Sequence, residues 1–318
     1  MSYIVHKAVE FEKITKGART ALSKRLGVLV GGVDDLSEHF TAQRKYDGVN
    51  GVSVLMGNGD QMLSRTGEVA KSCDHILKYL HHKVGKDYVV LGEVWHRKSP
   101  QTEISGAFRR HQPGPQLTYA AFDLLTLDEF RAGKSERPFR ERYLKLHTKL
   151  EGNESDPAFI AATYNPGTYG SATALAGALG DSGAAGRGWY DGAILRDPEG
   201  FWTVGSGTTG EIIKVKPRAS YDVRVVGVVE GLGKNAGSLG ALICIGPQKT
   251  FTVRGCIDNE TAKRWWNAYL ADEGKVGRSP DNPVGKIIEV ECLGITEDGS
   301  LREPVMKCVR DDKLDADF

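Results

Sequence analysis

The chain has 318 residues, a formal net charge of +1 at pH 7, 40% hydrophobic and 26% charged residues, the balance of a folded chain with room for two modest domains or one large one. A charge so near zero gives no electrostatic footprint for a polyanion, yet a basic groove can coexist with an acidic back, so charge neither assigns nor excludes a nucleic-acid partner. No apolar run approaches the roughly eighteen residues of a helical membrane span, and the opening MSYIVHKAVEFEKITKG lacks an apolar signal core, which argues against secretion.

In chain order, residues 8–26 read as an amphipathic helix closed by Gly27. Alternating apolar runs at Val49–Met56, Tyr88–Val94 and Gln116–Leu125 read as half-buried antiparallel strands. Between the first two, Glu68–His82 sets Val69, Ile76, Leu77 and Leu80 at helical spacing. Pro138–Leu150 reads as a helix with Pro138 near its first turn, and the Gly/Ala-rich stretch 167–188 as a helix followed by a flexible loop. Strands resume at Gly192–Arg196 and Glu211–Val215. After Lys216-Pro217-Arg218 the texture changes to short β-rich runs at Asp222–Glu230, Gly240–Ile245, Lys249–Arg254 and Lys286–Cys292, with a helix near Thr261–Ala271. Short strands closed by glycine turns predict a small Greek-key barrel, of which the five-stranded OB fold is the common form. The boundary falls near Pro217–Tyr221, giving domains 1–218 and 219–318.

The five cysteines, Cys73, Cys244, Cys256, Cys292 and Cys308, form no C-x-x-C pair and read as reduced thiols in a cytosol-like compartment. His75, His81 and His82 share one helical stretch without evident carboxylate partners and read as solvated surface rather than a metal site.

The sharpest feature is Lys45-Tyr46-Asp47-Gly48. Alone, a K-x-D-G string is weak, since about one chain in ten holds one by chance, and Asp-Gly with a solvated lysine makes an ordinary β-turn. Its position favours function: the lysine ends one apolar stretch and a strand begins just after the glycine. A lysine amine is protonated near neutral pH and attacks phosphorus only where cationic neighbours or desolvation favour its neutral form. Such neighbours occur in Ile212-Ile213-Lys214-Val215-Lys216, where strand geometry sends Lys214 and Lys216 to one face and Val215 into a core. An edge strand guarded by lysines has the same pattern. Glu93 in VVLGEVW and Asp191 in WYDGAILRD sit on strands beside glycines, which permit close approach of a ligand. Such carboxylates hold Mg²⁺ beside phosphates, though each alone is as compatible with a turn or an ion pair. Phe122 in TYAAFDLL ends a strand, where it either joins the core or stacks on a purine.

Taken together, Lys45-Tyr46-Asp47-Gly48, Ser64-Arg65-Thr66-Gly67, Leu91-Gly92-Glu93, Phe122-Asp123-Leu124-Leu125, Asp191-Gly192 with Arg196, and Lys214-Val215-Lys216 resemble, in order and rough spacing, the motif series of covalent nucleotidyltransferases. The set is similar to that of ATP-dependent DNA ligases, most of all the compact phage and virus type. Val204-Gly205-Ser206-Gly207 is also ligase-like, and Arg310-Asp311-Asp312-Lys313 looks like the family's final R-x-D-K motif. The resemblance spans about residues 40 to 313. It implies an α+β fold, with an N-terminal nucleotidyltransferase domain (ATP-grasp-like, antiparallel sheets with helices) followed by a C-terminal OB-fold β-barrel. It implies ATP and Mg²⁺ as cofactors, with Mn²⁺ able to substitute, and a cytoplasmic monomer of a bacterial or phage-infected cell. Its partner is nicked double-stranded DNA, in replication, repair and recombination, with no membrane involved.

The resemblance also implies residue roles. Lys45 is the nucleophile that carries AMP. Gln43 reads the adenine edge, Arg44 and Asn50 belong to the nucleotide contacts, and Phe122 stacks on the base. Arg65 holds ribose or phosphate and, with Ser64, approaches DNA. Glu93 contacts ribose or metal, and Asp191 binds metal. Lys214 and Lys216 neutralise the α-phosphate, and Arg310 and Lys313 orient the leaving pyrophosphate. The glycine-rich loop Gly231–Gly240, with Lys234, is a candidate DNA contact. Two departures stand out. Asn50 occupies a position usually held by arginine, for which Arg44 is a candidate to compensate. Asp191 replaces the usual glutamate, as in mRNA-capping guanylyltransferases, which keeps a capping reading open beside a non-catalytic nucleic-acid-binding module.

Overall fold

The computed structural model describes residues 3–110, 116–181, 190–254, 257–273, 275, 278–296 and 298–318. It divides into two compact units, Met1–Pro217 and Arg218–Phe318.

In the first unit a five-stranded sheet runs in the order Gln61–Ser64, Val49–Leu55, Tyr88–Trp95, Thr118–Thr126, Ala158–Ile160, antiparallel except for its last pair. A four-stranded antiparallel sheet runs Ile212–Val215, Tyr190–Arg196, Thr41–Tyr46, Thr163–Tyr164. The strands expected to be half-buried are covered on both faces. On one side, helices Asp74–Val84, Gln101–Phe108 and Phe139–His147 bring Ile76, Leu80, Ile104, Phe108 and Leu146 against Val90, Val94, Trp95 and Leu124. On the other, Val52, Val54, Val89, Leu91 and Leu125 pack with Trp202. The near-continuous apolar runs VVL and LL are what two-sided burial requires, each large side chain contributing about 1.5–3 kcal/mol. The four-stranded sheet packs Ala42, Ala193, Leu195, Ile213 and Val215 against Leu22, Leu175, Ala176 and Leu179, from helices Lys16–Leu26 and Ala172–Asp181.

The helix expected over 8–26 begins only at Lys16. Thr15 is its N-cap, accepting from the Ala18 N–H at 3.2 Å, and Gly27 closes it in the left-handed conformation at φ 72°. Of the preceding residues, Val9 bridges Ile213 and Phe11–Lys13 form a single 3-10 turn, which buries Val9, Phe11 and Ile14 together in the core of the four-stranded sheet, where one continuous α-helix would turn part of that set to solvent. The loop expected at the end of 167–188 lies outside the described residues. Helix Gln101–Phe108 and strands Thr41–Tyr46 and Gln61–Ser64 were not expected from the sequence.

The second unit is a five-stranded antiparallel sheet in the order Thr250–Val253, Leu239–Ile245, Ala219–Glu230, Ile287–Cys292, Val305–Val309. A parallel bridge between Arg254 and Val305 joins the two outer strands, so the sheet closes into a barrel and leaves no long free edge. Helix Asn259–Ala271, capped by Asp258, fills one end with Ala262 and Trp265. Its place between the third and fourth strands is that of an OB fold. Among the described residues no helix is long and apolar enough to cross a membrane. Cys73, Cys244, Cys292 and Cys308 are free thiols, and Cys256 lies outside the described residues.

Candidate active site

Lys45 sits one residue from the end of strand Thr41–Tyr46, whose alternation sends Gln43 and Lys45 to a common face while Ala42 enters the core. The neighbouring strand pairs Tyr190 with Tyr46 and Ala193 with Arg44, so Asp191 and Gly192 together oppose Lys45 alone. This bulge is where the sheet re-aims a side chain. Gly192 sits at φ 99°, and a Cβ there would stand 2.2 Å from the Val215 carbonyl oxygen, so only glycine fits. Asp191 is thereby turned onto Lys45: Nζ lies 2.7 Å from Asp191 Oδ2, and Lys216 Nζ reaches the same oxygen at 3.5 Å. Lys214 Nζ is 3.3 Å from Glu10 Oε1. Gly48 has a similar steric role, since a Cβ there would meet the Val94 carbonyl oxygen at 2.2 Å. Its absence lets the turn after Lys45 lie against the strand of Glu93.

The five-stranded sheet supplies the facing wall. Asn50 and Glu93 are cross-strand partners, and Phe122 is the extra residue of a second bulge, where Leu91 pairs Asp123 and Gly92 pairs Ala121. Phe122 therefore lies mid-strand rather than at a strand end. Burial pushes the Glu93 carboxyl up to about 7, and Asp47 adds to the shift against the opposing pull of Lys45 and Arg65. Asn50 Nδ2 donates to the Gly92 carbonyl at 3.4 Å, and its buried Oδ1 finds no partner among the described residues. Ser64 is committed to its own turn, accepting from the Thr66 and Glu68 N–H groups, while Arg65 is exposed with its guanidinium 5.6 Å from the Tyr3 ring centre.

Together these residues line a cavity of about 620 Å³, within the range of small-molecule sites. The predicted residues Gln43, Arg44, Lys45, Asn50, Ser64, Arg65, Glu93, Phe122, Asp191, Lys214 and Lys216 all border it. Lys234, Arg310 and Lys313 belong to the second unit. There Lys234 is exposed on a short turn, Arg310 Nη1 is 3.0 Å from Asp222 Oδ1, and Lys313 pairs with the same carboxylate.

Four details differ from expectation. The Arg44 guanidinium lies 4.3 Å from the Tyr190 ring centre and pairs with Glu154 at 3.5 Å, so its charge is already engaged rather than free to stand in for an arginine at position 50. The room at Gly92 and Gly192 is taken by the Tyr119 ring and the Val215 carbonyl rather than by a ligand. His81 does have a carboxylate partner, Asp60 at 2.7 Å, which ties the helix to a turn, and His75 contacts the Leu117 carbonyl at 2.8 Å. The sequence reading also missed Glu10, the partner of Lys214, and the polar stripe Gln101, Ser105 and Arg109 on the cavity wall, whose i, i+4, i+8 spacing was the signal available.

Chemically, the cavity combines cations near one wall, two carboxylates and an aromatic ring, which suits a phosphorylated aromatic ligand. Among the described residues no group of three or more His, Cys, Asp or Glu could hold a metal on protein ligands alone. A divalent cation here would share its coordination with phosphate oxygens, the usual arrangement for Mg²⁺.

An α+β unit followed by an OB-type barrel is the fold class that the resemblance in sequence implied. Residues 230–310 match the family model of the DNA ligase OB-like domain. Among solved structures the chain is similar to a protein described as Pmar-Lig_PreS3, at 18% identity and TM-score 0.67, covering 98% of this chain and 68% of that one. It is similar to a Lig E DNA ligase studied for DNA binding with a minimal scaffold, at 14% identity and TM-score 0.61, covering 96% and 98%. The ATP-dependent DNA ligase of bacteriophage T7 in complex with ATP matches at 18% identity and TM-score 0.50, again covering 96% and 98%. Comparison with curated protein sequences finds no match.

Proposed function

We propose that the chain is an ATP-dependent DNA ligase that seals 3′-hydroxyl/5′-phosphate nicks in duplex DNA. The observation that carries the reading is that Lys45, Lys214, Lys216, Glu93, Asp191 and Phe122, scattered over some 170 residues of sequence, border one cavity. The fold shared with the phage T7 ligase and the ligase-type OB domain support it.

Lys45 Nζ attacks the α-phosphorus of ATP, forming a phosphoamide bond as pyrophosphate leaves. The AMP then passes to the 5′-phosphate of the nick. The 3′-hydroxyl attacks that phosphorus, forming the phosphodiester and releasing AMP. The protein contributes chiefly position and charge. Lys216, on the carboxylate that also meets Lys45, and Lys214, on the adjacent strand, face the phosphate charge that develops, while Phe122 offers its ring to the base. Gln43 reads the base edge. Arg65, exposed beside the Tyr3 ring at the rim, meets the 5′-phosphate strand. Arg310 and Lys313 act on the leaving pyrophosphate.

The site fits a divalent cation. Glu93 and Asp191 both border the cavity, and the Asp191 carboxylate already draws in two cations. Mg²⁺, or Mn²⁺ in its place, would be held by these two carboxylates with phosphate oxygens and would neutralise phosphate charge. DNA affinity comes mainly from backbone phosphates and falls with salt, without sequence preference. The protein acts as a monomer, and its free thiols suit the reducing cytoplasm of a bacterial or phage-infected cell.

The test is incubation with Mg²⁺ and α-labelled ATP or GTP, with wild type beside Lys45→Ala. Label from ATP alone, lost in the variant and discharged by nicked DNA, is the expected result. Label from GTP moves the protein to the capping class, and no label from either leaves a binding module.

A further inference from the structure

Among the described residues, Arg196 is the one guanidinium on the pocket wall that is buried, at 4% exposure. It packs between two rings, 4.7 Å from the Phe122 centre and 5.3 Å from that of Phe139. The nearby carboxylate of Asp123 is held by Arg142 at 2.9 Å, so Arg196 has no direct ion pair among the described residues. Burial pulls its guanidinium down to about 10. A buried charge is retained at such a position only where its hydrogen bonds are used.

One of those bonds is informative. Arg196 Nε donates to Gln43 Oε1 at 2.9 Å, and Gln43 Nε2 donates to the Phe122 carbonyl at 3.3 Å. Since a guanidinium only donates and a carbonyl only accepts, the two contacts assign both ends of the amide. The amide cannot turn over without placing N–H against N–H and oxygen against oxygen. Gln43 itself is 1% exposed and borders the cavity, so it offers a ligand one fixed order of donor and acceptor.

The two common purines present opposite orders. Adenine offers a donor at N6 beside an acceptor at N1, while guanine offers an acceptor at O6 beside a donor at N1. A pinned amide matches one order and opposes the other, whereas a freely rotating amide accepts both. We infer that Arg196 is a positioning residue that fixes purine choice by locking the Gln43 amide between its guanidinium and the Phe122 carbonyl. The inference rests on the proposed nucleotidyl transfer to Lys45 and adds to it how the base is chosen.

The experiment is self-nucleotidylation of the full chain with labelled ATP and GTP in wild type, Arg196→Met, Arg196→Lys, Gln43→Ala and the Gln43→Ala/Arg196→Met double variant. Arg196→Met should lower the ATP-over-GTP preference about tenfold or more, the scale of a lost hydrogen bond to a charged group, with GTP label appearing on Lys45. Arg196→Lys should restore part of the preference. In the Gln43→Ala background the methionine change should alter the ratio no further, because its effect passes through the amide. A merely structural role would lower both labels together and leave the ratio alone. If a melt shows the methionine variant unfolded, Arg196→Lys is read instead, and a wild-type ratio there overturns the inference. Label from ATP in wild type with an unmoved ratio in the variants overturns the inference alone. No label in wild type from either nucleotide overturns it together with the function it rests on.

Discussion

Asp191 in the first unit and Asp222 in the second each draw in two cations, with side chains equally buried at 7% exposure. At Asp191 the cations, Lys45 and Lys216, are carried by or directly follow strands locked into one antiparallel register. At Asp222 they are Arg310 and Lys313, which follow the last strand of the barrel. That tail is strapped to the barrel by reciprocal contacts: the Asp317 N–H donates to the Asp222 carbonyl, the Asp222 N–H to the Asp317 carboxylate, and Arg224 to the Leu314 carbonyl. Similar local chemistry thus sits on very different mechanical supports. At the sheet-borne cluster the backbones of Lys45 and Asp191 are held in place by ladder hydrogen bonds. The tail cluster lies outside any ladder and can peel away at the cost of its two ion pairs to the buried Asp222 carboxylate and a few hydrogen bonds, with Arg310 and Lys313 themselves only partly buried. A site that must hold one geometry through a reaction belongs on the first support, and groups needed for a single step belong on the second.

The largest expected effect breaks the rigid cluster. Asp191→Asn keeps the shape but removes the charge that Lys45 and Lys216 share. It should slow lysine adenylylation by about a hundredfold, the scale of one electrostatic group in a preorganised site, with the melting temperature little changed. Asp191→Asn labelling at wild-type rate would show that the bulge serves the fold alone. The next effect tests the tail cluster. Arg310→Ala and Lys313→Ala should each slow lysine adenylylation by about tenfold while leaving the sealing of pre-adenylated nicks unchanged. Equal loss in both reactions would mean that the tail acts on the barrel's integrity and not on one step.

Much of this contrast was legible in the sequence, and what was not has a common cause. The spacing of Lys45, Gly48 and the alternation of Lys214, Val215 and Lys216 are local properties, and the structure places their side chains as strand geometry dictates. The barrel's strands announced themselves through glycine turns, although Val305–Val309 did not, since only Met306 of VMKCV is buried and so exposed a strand carries little apolar signal. The two bulges were invisible. Asp191 and Phe122 reach the cavity because one strand holds an extra residue relative to its partner, and register is a relation between distant segments that neither one encodes alone. Arg44 illustrates the same limit. Named from the sequence as a nucleotide contact to compensate for Asn50, it does border the cavity, while its cross-strand position beside Ala193 also commits it to Tyr190 and Glu154, contacts that no local pattern encodes.

The smallest expected effect uses pH to separate the units. All eight histidines lie before residue 218, so titration near neutrality by histidine belongs to the first unit alone. His6 is the buried one that borders the cavity. The Thr203 N–H donates to its Nδ1 at 3.2 Å, which leaves the proton on Nε2, 3.7 Å from Glu211. Burial holds its pKa below the ordinary 6.5, with Arg196 and Arg142 acting in the same direction and Glu211 and Asp123 against it. The folded chain therefore refuses a proton that the unfolded chain accepts. As pH falls below about 6.5 the unfolded state binds more protons, and stability drops by at most about 1.4 kcal/mol per pH unit until the folded pKa is reached. His6→Gln removes the titration. Its melting temperature should fall short of wild type at pH 8 by more than it does at pH 5, as the wild type loses its advantage on acidification. The barrel should show no such convergence, since near-ultraviolet signals from Trp265 and Trp266 report on a unit without histidine. A constant gap between wild type and His6→Gln across that range would mean that His6 takes up its proton inside the folded unit, with Glu211 prevailing over burial.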